Sequence, residues 1–159
     1  MKKLKLYLDT STINFLFAED EPELQKITEE FFENFVAKGK FKVYISDVVI
    51  EEIEKTKDIE KRKMLLEVVF KYNLEAFSLT EEAVDLSNKY LTQKAIPRKK
   101  VEDARHLAMA TINECDALIS WNYKHLANMN KERKITAINL EEGYNYPLRL
   151  VTPMEVVGE

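Results

Sequence analysis

The chain has 159 residues, 45% of them apolar and 33% charged, with only three glycines and four prolines. That balance excludes a disordered or fibrous protein and predicts one helix-rich domain over residues 1–159, large enough to bury a core without disulfides. The 24 basic and 28 acidic residues leave a net charge of −4. This argues against broad electrostatic adhesion to nucleic acid, so any such contact has to be local.

Leu4, Leu6 and Leu8 alternate with Lys5 and Tyr7, which predicts a short first strand ending at Asp9. The hydroxyls of Thr10, Ser11 and Thr12 suit the start of a helix. Apolar residues at helical spacing from Leu24 to Val36 predict a helix over 21–38, with Gly39 as its stop. Phe41 to Ile45 reads as a second strand. Ser46 then caps a helix with Val49, Ile50 and Ile53 along one face.

A helix is expected from Asp58 to Tyr72, closed by Asn73, and a third strand from Glu75 to Leu79. Thr80 opens a helix running to about Gln93, and Pro97 marks a loop before a helix from Val101 to Asn113. The run Asp116 to Ser120, with unbroken apolar residues at its centre, suits a strand covered on both faces, as in a parallel sheet. One or two helices are expected between His125 and Glu142, then a Gly143 stop and a last strand near 148–151. Alternating strands and helices give an α/β fold, three layers of α/β/α with a mostly parallel central sheet of about five strands.

The lone Cys115 has no internal disulfide partner and reads as a small buried side chain. The start at Met1 lacks a cleavage pattern, and no segment approaches the roughly 20 apolar residues of a membrane span. A soluble, cytoplasmic protein with no membrane association is expected.

In open parallel sheets ligands bind beyond the carboxyl ends of the strands. Asp9 ends strand one, Glu51 and Glu52 follow strand two, Asp103 opens the helix before strand four and Asn122 follows strand four. Each also has an ordinary use. Asp9 can cap the helix at Thr12, Glu52 can be solvated, and Asp103 can favour the helix dipole. Three carboxylates drawn to one crevice repel one another, and a divalent cation removes that repulsion. Oxygen ligands suit Mg2+ or Mn2+ rather than zinc. His106 and His125 read as surface or supporting residues, because an acid-rich site does not require imidazole. No glycine-rich phosphate loop, zinc spacing or Asp-x-Asp-x-Thr phosphotransfer motif is present.

Four segments together resemble the PIN-domain ribonucleases, and among them the VapC-like toxins of prokaryotic toxin-antitoxin systems. They are Leu6-Tyr7-Leu8-Asp9-Thr10-Ser11, Ile45 to Ile53, Glu102-Asp103-Ala104-Arg105-His106-Leu107-Ala108, and Asp116 to Asn122. The resemblance implies a Mg2+- or Mn2+-dependent endoribonuclease with Asp9, Asp103 and Glu52 at the metal positions. Asn122 stands where the family often has a fourth acid, which leaves a non-catalytic RNA- or protein-binding PIN module as the alternative.

Arg98, Lys99, Lys100 and Lys124 are the expected phosphate contacts, and Trp121 and Tyr123 flank Asn122, with packing the commoner use of such rings. The resemblance also implies a homodimer and an antitoxin partner. Phe15 to Phe17 and Val68 to Phe70 are candidate contacts for such an interface, though core packing is their commoner use.

Overall fold

Strand β1 (Lys5–Leu8) lies at the centre of a five-stranded sheet in the order β3-β2-β1-β4-β5, and every pairing is parallel. The computed structural model describes residues 2–158. Met1 and Glu159, the ends of the predicted span, lie outside the described residues.

The partners of β1 are β2 (Lys42–Ser46), with Leu6 opposite Val43, and β4 (Ala117–Ile119), with Leu6 opposite Ala117. The edges are β3 (Glu75–Phe77) and β5 (Arg149–Val151). The chain builds outward from β1 to β2 and β3, then returns to the other side for β4 and β5. The order therefore reverses beside β1, and the crevice of such a sheet opens at the carboxyl ends of β1 and β4.

Parallel strands need crossovers, and helices supply them. They are α1 (Thr10–Asn14), α2 (Pro22–Phe31), α3 (Asp47–Glu54), α4 (Ile59–Lys71), α5 (Glu81–Thr92), α6 (Val101–Ile112), α7 (Met129–Glu141) and α8 (Pro153–Val157). All three residues of β4 are buried, so the sheet is covered on both faces, as its unbroken apolar run predicts. Tyr7, Leu8, Leu118 and Ile119 are at the middle of one contiguous buried cluster that takes in Phe31, Phe32, Ile53, Leu107 and Ile135.

The polar groups inside this core are paired. Tyr90 Oη of α5 donates to Asn139 Oδ1 of α7 at 2.5 Å, and Asn139 Nδ2 donates to Thr111 Oγ1 of α6 at 3.1 Å, tying three helices together. Cys115 is buried, as expected.

Three elements differ from their sequence expectation. The helix predicted over 21–38 gives way at Phe32–Val36 to a single π turn, closed by the Ala37 amide on the Phe32 carbonyl at 2.8 Å. The wider turn inserts a residue, and both Phe31 and Phe32 are fully buried with their rings edge to face. Strand β3 stops at Phe77 because the amide of Leu79 is taken by the Asp47 carboxylate at 2.9 Å. Helix α8 was not expected, although Thr152 and Glu155 form a capping box around Pro153.

Among the described residues no helix is long and apolar enough to cross a membrane. Val68 is buried and Leu16, Phe17 and Val69 pack on the core, whereas Phe70 is 82% exposed.

Candidate functional site

Asp9 follows β1 directly and is only 3% exposed. Its extended backbone (φ −81°, ψ 174°) makes it the N-cap of α1, and Oδ1 accepts the Thr12 amide at 3.2 Å. The capping use and the site position therefore coincide. Ser11 Oγ donates to Oδ1 at 2.7 Å and Ser120 Oγ donates to Oδ2 at 2.6 Å, so both carboxylate oxygens are engaged. Thr12 Oγ1 has one proton and donates it to the nearer Ile119 carbonyl at 2.9 Å.

The same two serines hold the chain leaving β4. Ser11 Oγ accepts the Trp121 amide at 3.0 Å, and Ser120 Oγ accepts the Asn122 amide at 2.9 Å. Each hydroxyl thus donates to the acid and accepts from the neighbouring loop, which binds the ends of β1 and β4 together. Burial pushes the Asp9 carboxyl above its usual range. The positive field of His106 and the bonds from Ser120, Ser11 and Thr12 only partly offset it.

Glu52 reaches the same region from α3, with 30% of its side chain exposed. Oε1 accepts from Thr10 Oγ1 at 2.6 Å and from His106 Nε2 at 2.7 Å. Burial would raise this carboxyl, but the hydrogen bond and charge of His106, with the Thr10 hydroxyl, hold it below the usual carboxylate range.

His106 is 1% exposed and lies on α6, three residues beyond Asp103 and so on the same helix face. Its Nδ1 is 2.7 Å from Tyr7 Oη, which in turn is 2.6 Å from Ser46 Oγ. Burial pushes the imidazole down, yet the bond to Glu52 and the charges of Glu52, Asp9 and Asp103 outweigh it, and the net displacement is upward.

Asp103, in the first turn of α6, accepts from Asn122 Nδ2 at 3.2 Å. Burial pushes its carboxyl up to about 6. The His106 charge opposes this, the charges of Asp9 and Glu52 add to it, and Lys100 opposes it. Asn122 is spent at both ends, since its Oδ1 accepts the His125 amide at 3.1 Å.

Four residues named from the sequence thus come from four different elements to the carboxyl ends of β1 and β4: Asp9, Asn122 and Asp103 are linked through Ser120, and Glu52 is linked through Thr10. The cationic residues divide. After the effect of burial, the charges of Lys100, Lys124 and Lys131 hold the His125 imidazole down, so these three form a basic patch around His125, and Lys100 also acts on Asp103. Arg98 and Lys99 are exposed and make no side-chain hydrogen bond or ion pair among the described residues. Trp121 is core, its Nε1 donating to Thr28 Oγ1 at 2.8 Å, whereas Tyr123 is 52% exposed.

No family model matches the chain, and no curated protein matches it. Solved structures are similar. One of them is a member of the VapBC family of toxin-antitoxin systems, VapBC-5 from Mycobacterium tuberculosis, at 12% identity and a TM-score of 0.48. The likeness covers 92% of this chain and 96% of that one.

Sequence reasoning missed the parts that join the acids. Ser11, Ser120, Thr10, Tyr7 and Ser46 entered it as caps or strand residues, and His106 as a supporting or surface side chain. One signal for Tyr7 was available. It has the same parity as Asp9 along β1, so the only polar ring of that strand lies on the site's face of the sheet.

The donor chemistry of these residues suits a hard cation, because the acids carry oxygen only and the charges of Asp9 and Glu52 raise the Asp103 carboxyl. As placed, though, no three His, Cys, Asp or Glu side chains among the described residues are grouped to hold one ion. Glu52 contributes an oxygen to His106 instead.

Proposed function

We propose that this chain is a single-domain, PIN-type endoribonuclease resembling the VapC toxins, hydrolysing RNA phosphodiesters with Mg2+ or Mn2+. The observation that supports the reading is a chain of hydrogen bonds from Asp9 through Ser120 and Asn122 to Asp103, with Glu52 held by Thr10, the residue next to Asp9. The Asp103 carboxyl is raised in part by the charges of Asp9 and Glu52.

Asp9 and Asp103 are the residues to hold the cation, since Mg2+ keeps several waters and takes only one or two carboxylates. When bound, such an ion lowers the pKa of an attached water and offsets charge on the scissile phosphate. Ser11 and Ser120 hold the Asp9 carboxylate in one orientation by a hydrogen bond to each oxygen. Glu52 stays ionised, held by His106 and Thr10, and is suited to accept a hydrogen bond from the attacking water. Asn122 braces Asp103 through its amide, a structural use in place of the acid the family often has. Lys100 and Lys124 bring positive charge to the flank of an acidic chain, where an RNA backbone would approach.

A toxin of this kind is cytoplasmic and takes an antitoxin over its site. The exposed Phe70 on α4 is suited to the contact of a homodimer.

The test is cleavage of a panel of structured RNAs by purified protein with Mg2+ or Mn2+. The parent is expected to cut, and Asp9→Asn and Asp103→Asn each to lose at least about 100-fold, with EDTA abolishing the activity. The second reading, a non-catalytic RNA- or protein-binding module, is favoured by one observation: both oxygens of Asp9 are engaged within the protein. It prevails if the RNAs stay intact while Asp9→Asn binds them as tightly as the parent.

A further inference from the structure

Helix α3 is tied to the rest of the protein by a ring of contacts that starts and ends on it. Ser46, its N-cap, accepts the Val48 amide at 3.2 Å and meets Tyr7 Oη of β1 at 2.6 Å. Tyr7 meets His106 Nδ1 of α6 at 2.7 Å, and His106 Nε2 returns to α3 by donating to Glu52 Oε1 at 2.7 Å. Tyr7, Ser46 and His106 are all buried, and no buried side-chain nitrogen or oxygen among the described residues lacks a partner.

The asymmetry at Glu52 stands out. Both of its donors, Thr10 Oγ1 and His106 Nε2, fall on Oε1, while Oε2 has no hydrogen bond among the described residues. Two donors converging on one oxygen fix the plane of the carboxylate and leave the second oxygen to a ligand or water. A buried imidazole bonded at both nitrogens also has its ring orientation set, much as a second partner orients a metal-bound histidine.

We propose that His106 is the positioning residue of Glu52, locking its carboxylate by one oxygen so that the other is presented to the water used in RNA hydrolysis. This rests on the nuclease reading for its consequence, but not for the contact itself. His106 touches neither RNA nor water in this role. It acts through Glu52, and Tyr7 and Ser46 act through it.

Two measurements separate the contact from its consequence. Long-range 1H-15N spectra of the imidazole, taken without RNA, are expected to show Nε2 protonated. Glu52→Gln should shift both ring nitrogens, and Met154→Ala, at an exposed position on α8, should leave them in place. Ring shifts indifferent to Glu52→Gln overturn the proposal.

In cleavage assays, His106→Leu is expected to lower kcat by roughly 10- to 100-fold with KM within about twofold, and His106→Gln, which keeps a donor near Nε2, to recover most of it. Glu52→Gln with His106→Leu should be no worse than Glu52→Gln alone, because the second residue works only through the first. Losses that multiply, or a His106→Gln variant as poor as His106→Leu at an unchanged melting temperature, overturn it. A parent that cleaves nothing sinks the nuclease reading instead, and the ring shifts then decide the contact alone.

Discussion

Ser120 Oγ donates to Asp9 Oδ2 at 2.6 Å, joining residues 111 apart in the chain at the carboxyl ends of two neighbouring strands. The same oxygen accepts the Asn122 amide, so Ser120→Ala removes two bonds at once. A hydrogen bond to a buried carboxylate contributes about 1.5–3 kcal/mol. Ser120→Ala is expected to destabilise the protein by about that amount, with the urea midpoint falling at unchanged slope. A midpoint equal to the parent's would show that water replaces the hydroxyl without loss.

Asp103 gives a dependence on pH. Its folded-state carboxyl titrates at about 6, above the ordinary 3.8, so between the two the folded protein binds more protons than the unfolded chain. Stability therefore falls as pH rises through this window and levels off above it. In metal-free protein Asp103→Asn removes the slope, and its melting temperature should gain on the parent's from about pH 4 to about pH 6. A difference between the two proteins that is flat across this range would mean that Asp103 is not raised.

The basic patch makes a prediction about salt. Lys100 and Lys124 are expected to meet phosphates, and each replaced by alanine should reduce the slope of log K against log salt for single-stranded RNA by about 0.7. Arg98→Ala and Lys99→Ala, at exposed positions, test whether the contact extends along the loop. An unchanged slope in Lys100→Ala and Lys124→Ala would remove the patch from the RNA path.

Tyr123 is the exposed aromatic beside Asn122, with its ring edge-on to buried Trp121 at 6.1 Å. Stacking of an unpaired base on such a ring contributes about 1–3 kcal/mol. Tyr123→Ala should weaken binding of single-stranded RNA by that amount while Tyr123→Trp retains it, measured by fluorescence anisotropy. Equal affinities for all three would leave Tyr123 as rim packing.

The strands and helices were legible because each carries its own period and caps. Asp9 after the Leu6/Leu8 alternation, Ser46 before Val49 and Thr80 before α5 all sit where the sequence predicts. The acids were legible as positions at a strand end (Asp9), in a helix following a strand (Glu52) and in a first helical turn (Asp103), but their partners were not. Glu52 and His106 are 54 residues apart, and no local spacing announces that an imidazole on α6 will bond a carboxylate on α3. Ser120 and Ser11 look like ordinary turn residues until β1 and β4 lie side by side. The π turn at Phe32 arises from packing two adjacent rings into the core, which helical periodicity does not encode. The capping box of Thr152 and Glu155 was written in the sequence and simply short.

The central place of β1 has a consequence in time. During synthesis β1 emerges first, yet of its two neighbours β2 follows within about one helical crossover and β4 only after most of the chain. Asp9 therefore waits for Ser120, and Glu52 for His106, before either has its final surroundings. Such non-local closure is slow and late in folding. A nascent or truncated chain that stops before residue 103 carries two of the three acids but neither the His106 nor the Ser120 contact that orients them. The surroundings of Asp9 and Glu52 are thus completed only when the last third of the chain is in place.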